Sequence, residues 1–228
     1  MANGAIWMKL DFVIDKEYDI KMTLQLKEAG YPGYKKINRT FLEERYRKEL
    51  PEMRIKQKEY QVSWDGIGES FSDYIERATN HGWFYPKYEC VMSIAVSGAS
   101  NWGHAPIIMR IYTEDPYRMR RITAHELILS HYFEIYRRYY NSESLTDGQV
   151  WALAEIAAFA LTSLTSEAKS FWQNAEYYTN HNYPHIAKLQ NDLKPIFLES
   201  MKMKDFDYYI KRGIELAKAY PNMSPKSS

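Results

Sequence analysis

One stretch, WALAEIAAFAL at residues 151–161, constrains the fold of this chain more than any other. Wound as a helix at ~100° per residue, its apolar side chains point in every direction, so the helix belongs inside other elements rather than on a surface. Glu155 is the only polar side chain in it. A carboxylate in that position must be protonated, hydrogen-bonded to a cation or bound to a metal, because an isolated buried charge is strongly unfavourable. A chain that encloses such a helix needs a sizeable core. With 228 residues, 45% of them hydrophobic and 26% charged, this one can build it. We expect a single domain over residues 1–220. The end, PNMSPKSS at 221–228, is expected to be a mobile tail.

The order of elements follows from periodicity and punctuation. Residues 6–14 alternate imperfectly and suggest an opening strand. A helix over about 15–29 closes at Gly30 and the turn-like YPGY. Helical spacing continues over 35–50, where Pro51 should end that helix or open the next. A further helix spans about 68–80. YECVMSIAVSG (88–98) and APIIMRIYT (105–113), rich in Val, Ile and Tyr, are expected to be a β-hairpin or two sheet strands. Beyond them the chain is almost wholly helical. Asp115 and Pro116 open one helix, Thr146 caps the next, and helical patterns follow over 166–180, 184–200 and 204–220. The fold class is therefore α+β, mainly helical, with a small sheet preceding a helical core.

The helix before WALAEIAAFAL carries a second misplaced polar group. On a helical projection Ile122, Leu129, Tyr132, Phe133 and Tyr136 all fall on the same side as His125, with Ile122, Leu129 and Phe133 to one side of it and Tyr132 to the other. His125 thus stands within the apolar face. Consecutive helices joined by a short turn pack antiparallel, which brings the faces of His125 and Glu155 together.

ITAHELILSHYFEI followed by WALAEIAAFAL resembles the core of a gluzincin-type zinc metallopeptidase. In that family one helix carries H-E-x-x-H, and a Glu on a following helix completes the zinc site. The resemblance covers about residues 105–165. It implies a zincin-like fold, a zinc cofactor held by His125 and Glu155, and Glu126 as the general base that activates zinc-bound water. This chain departs from the motif at the second His, whose position holds Leu129. His131, six residues after His125, is the nearest substitute, at about 240° around the helix. Only inserted π-bulges would aim both at one ion.

Other residues offer less. In HNYPH (181–185) Pro184 breaks any continuous helix, and His185 is an auxiliary candidate for the missing ligand or an oxyanion donor. His104 stands at a strand entrance, and the edge of strand 105–113 is a place for an extended peptide to add. Arg118, Arg120 and Arg121, like Arg137 and Arg138, are expected on a solvated face with ordinary ion pairs. Cys90 suits a buried small apolar position, and as the only cysteine it excludes an internal disulfide framework. Lys+Arg of 30 against Asp+Glu of 29 argues against a dedicated nucleic-acid or membrane-surface binder. No apolar run reaches the ~18 residues of a membrane span, and the opening MANGAIWMKL lacks the layout of a signal peptide, so a cytoplasmic protein is expected.

Three functions fit these observations. One is a metal-dependent hydrolase of peptides. Another is a zincin-like scaffold that keeps a buried His–Glu pair and binds a peptide or protein partner. In the third the motif is accidental. They differ in whether a third ligand reaches His125 and Glu155, and in whether Glu126 opens to solvent.

Overall fold

A computed structural model describes residues 8–100, 105–172, 183–220 and 223. It is an α+β, mainly helical fold built on a four-stranded sheet. Strand β1 (Lys9–Val13) lies parallel to β2 (Lys87–Ser93), and β2 lies parallel to β4 (Ile107–Ile111). The three-residue β3 (Gly98–Ser100) pairs antiparallel with β4 and closes one side, giving the order β1-β2-β4-β3. Of the two arrangements expected for 88–98 and 105–113, the second is found: β2 and β4 are neighbouring parallel strands of one sheet, and Gly98 already belongs to β3. The edge expected on strand 105–113 is covered, because β4 is flanked by β2 and β3. Among the described residues the edge strands of the sheet are β1 and β3.

Period-two alternation divides the sheet between two packing faces. Leu10, Phe12, Cys90, Met92 and Ile108 enter the main core, which extends from Met8 to Met223. Val91 and Met109 point the other way, toward α1 (Lys16–Glu28), where Met22 and Leu26 cover them. On the main-core side stand α2 (Arg39–Asp65), α3 (Gly68–Thr79) and α4 (Arg118–Tyr139). Helix α5 (Asp147–Ser163) packs behind α4, with α7 (Ala187–Met203) and α8 (Phe206–Ala217) against it. Cys90 is fully buried, and burial pushes its thiol pKa up, as suits an inert packing residue.

Several helix ends fall where the sequence puts them. Asp15 caps α1 through the Tyr18 N–H, and Gly30 takes the left-handed conformation just past it, at φ 87°. Thr146 forms a full capping box with Gln149. Asp115 accepts from the backbone N–H groups of Tyr117 and Arg118, although regular helix begins only at Arg118. Pro51 neither ends nor opens a helix; α2 runs through it for 27 residues. It lies on the solvent side, where water can take up the carbonyl that the ring leaves without a donor. Of the helix expected over 166–180 the described residues hold α6 (Ala168–Phe171); residues 173–182, with His181, lie outside the described residues, as do His104 and all of the 221–228 tail except Met223.

A buried carboxylate ties the front layer to the sheet. Asp19 of α1 accepts from Tyr46 Oη of α2 at 2.6 Å, from the Ile94 N–H at 3.0 Å and from Ser93 Oγ at the end of β2. Burial raises its pKa in spite of these donors. The network fixes the turn that leads from β2 into β3, and so fixes β3 above α4. Among the described residues no helix is long and apolar enough to cross a membrane.

Candidate functional site

Helix α4 is buried around its whole circumference from Thr123 to Tyr136, and α5 is nearly so from Gln149 to Ser163. The polar side chains on them therefore find partners within the protein or none. The two helices pack together, and His125 Nε2 meets Glu155 Oε2 at 2.9 Å. The imidazole also packs edge-on against Phe159, one turn beyond Glu155, with centroids 4.9 Å apart. Burial alone would lower the pKa of His125; the opposing carboxylate of Glu155 outweighs it, and the net shift is upward.

These residues line one end of a cavity of about 510 Å³. Its floor is α4, with Arg121, His125, Glu126, Leu129 and Phe133. One wall is α5, with Trp151, Glu155 and Phe159, and the other is β3 with Ser97 before it. Tyr31 and Tyr183 also line the cavity, within electrostatic reach of Glu155. Burial pushes the Glu126 carboxyl up to about 7, with Glu155 adding to the shift and His125 and Arg110 opposing it. Near neutral pH Glu126 is thus a mixture of acid and carboxylate, able both to donate and to accept a proton in the cavity.

Two residues that the sequence did not single out shape this end. Arg110 is the one cation in the apolar run of β4, and it shares a sheet face with Ile108 and Cys90. Only 1% exposed, it donates to the Ser97 carbonyl and to Glu114, and its Nε has no partner among the described residues. The signal available was a charge inside a strand-like apolar run. Gly98 leaves room for Glu126: a Cβ built there would stand 2.4 Å from Glu126 Oε1. Nothing in the local sequence marks that requirement, which arises between elements far apart in the chain.

The other sequence candidates lie elsewhere. Leu129, at the position of the missing His, lines the cavity. His131 does not reach His125 or Glu155, because no π-bulge interrupts α4. Instead it packs between Trp83 and Phe84, at centroid distances of 4.7 and 5.3 Å, with Thr79 Oγ1 3.4 Å from its Nε2. Burial, with help from His81, pushes its pKa down to about 3. His185 stacks on the ring of Trp151 at 6.0 Å and lies outside the cavity lining. Arg137 and Arg138 clamp the fully buried Glu134, and Arg138 lies over Phe84.

The described residues do not fit the zinc site that the gluzincin resemblance implies. His125 and Glu155 supply two donors and bond to each other, Leu129 supplies none, and His131 faces other neighbours. Among the described residues no three His, Cys, Asp or Glu side chains gather where a metal ion could be held. A catalytic zinc takes three protein ligands. Comparisons with protein-family models, curated proteins and solved structures return no match.

Proposed function

We propose that this chain is a zincin-like binding scaffold that takes an extended peptide along β3 into the cavity over α4, with His125 and Glu155 acting as a structural pair. The observation that carries the reading is the direct His125–Glu155 hydrogen bond at 2.9 Å beside Leu129. Side chains that would face an ion instead satisfy each other. The edge supports peptide addition. The Ile111 N–H bonds to the Ser97 carbonyl, so by the alternation of an antiparallel ladder Gly98 and Ser100 turn their backbone groups away from β4. Trp151, Phe159 and Phe133 offer apolar surface for alternate side chains of such a strand.

One observation favours a second reading, a hydrolase. Glu126 faces an open cavity with a carboxyl pKa of about 7, which suits a general acid or base. Metal content separates the two. The scaffold reading expects far less than one zinc per chain in protein purified without affinity tag or chelator, even after zinc is added. Near-stoichiometric zinc that disappears in Glu155→Gln would overturn it and restore the hydrolase.

A further inference from the structure

A second cavity, of about 830 Å³, adjoins the first and shares Glu114, Arg121 and Ile122 with it. Its charge is different. Arg118, Arg120, Arg121 and Lys169 all line it. The acids beside them are already engaged: Glu114 takes the Arg110 guanidinium, and Asp115 accepts from two backbone N–H groups. Arg120 donates to Ser63 Oγ and lies over the Tyr117 ring, neither of which neutralises it. The side chains of Arg118 and Lys169 are exposed and form no hydrogen bond or ion pair among the described residues.

This arrangement opposes the ordinary rule for helices. The first turn of α4 holds no acid and three arginines, at the end where the backbone N–H groups already concentrate positive charge. Like charges gathered in one concavity repel, and the cost is relieved when an anion enters. The cleft end is mixed in charge, with Glu126 and Glu155 lining it together with Arg110, Arg121 and His125.

Building on the peptide-binding reading, we propose that the cationic cavity is a subsite for carboxylate groups of the peptide that lies along β3, so that the preferred partner segment is acidic beyond its cleft-bound part. Acidic side chains and a free C-terminal carboxylate share this chemistry.

Fluorescence anisotropy on the intact chain at low salt tests it with four labelled hexapeptides. One has six alanines and an amidated end. Two have three alanines followed by three aspartates or three lysines, again amidated. The last has six alanines and a free carboxylate. We expect the aspartate peptide to bind at least tenfold more tightly than the amidated alanine peptide, and the lysine peptide to bind more weakly than it. The free-carboxylate peptide reports whether a chain end alone suffices. The double variant Arg118→Gln, Lys169→Gln changes two exposed side chains, and should bring the aspartate peptide down to the alanine level while leaving the alanine peptide unchanged. Equal binding of all four peptides, or a double variant without effect, overturns the subsite but leaves the cleft reading standing. No binding by any peptide, the neutral one included, overturns both.

Discussion

His125 and His131 belong to the same helix, both are more than nine-tenths buried, and the protein shifts them in opposite directions. His131 sits among Trp83, Phe84 and Thr79, with no carboxylate of the described residues paired with it, so loss of water leaves it neutral. His125 loses as much water but meets Glu155, and the carboxylate reverses the sign. What differs is the neighbour that each side of α4 packs against. Burial by itself says little about the charge of a buried histidine; the partner on the next element decides it.

The largest effect should come from removing that partner. Glu155→Ala leaves His125 buried without its counter-charge, and breaking a buried pair in this way costs roughly 3–5 kcal/mol. Urea denaturation at pH 7 measures it. In the same variant His125 should titrate below the ordinary imidazole range, as His131 does, which NMR of the imidazole protons would show. A His125 that stays shifted upward would break the comparison.

Glu126 sharpens it from the acidic side. A carboxyl raised to about 7 in the folded protein adds stability that is fully present below its unfolded pKa and lost as pH rises through 7. Between about pH 4.5 and 8 this group alone removes roughly 3 kcal/mol. Glu126→Gln should abolish that decline, so its unfolding free energy falls less with pH than that of the wild type. Parallel profiles for the two proteins would show that Glu126 ionises freely.

The sign for His131 is opposite to that for Glu126. Its folded pKa is lowered to about 3, so its contribution is present above the unfolded pKa of about 6.5 and is lost as pH falls toward 3. At pH 5 the loss is roughly 2 kcal/mol. His131→Leu should remove this acid sensitivity, as seen by comparing denaturation at pH 5 and pH 7. The smallest effect is expected at Gly98→Ala. The added methyl must displace the Glu126 carboxylate, the end of a flexible side chain, at a cost of about 1 kcal/mol. Its clearer signature is a Glu126 carboxyl that titrates nearer the usual range, measurable by carbon-13 NMR of the side chain.

Much of the candidate site was legible because helical period is local. An eleven-residue apolar run with Glu155 in it, and a preceding helix with His125 on its apolar face, suffice to state that two polar groups are buried on neighbouring helices. The short connection then supplies their meeting. The α+β class and the caps at Asp15 and Thr146 were legible for the same reason. Strand pairing was not, because register joins segments that are far apart, and alternation in 88–98 and 105–113 does not say whether the two runs are parallel. Pro51 misled because its effect depends on which side of α2 faces water.

The sequence by itself determined that this protein buries a histidine and a glutamate on adjoining helices behind a small sheet, since periodicity and the limits on buried charge leave little choice. Only the tertiary structure decided that these two bond to each other while His131 turns away to Trp83 and Phe84. It alone placed Arg110 and the bare Cα of Gly98 beside Glu126. Those contacts come from separate elements brought together by packing, and the charge state of a buried group is set by the dielectric and partners that packing supplies.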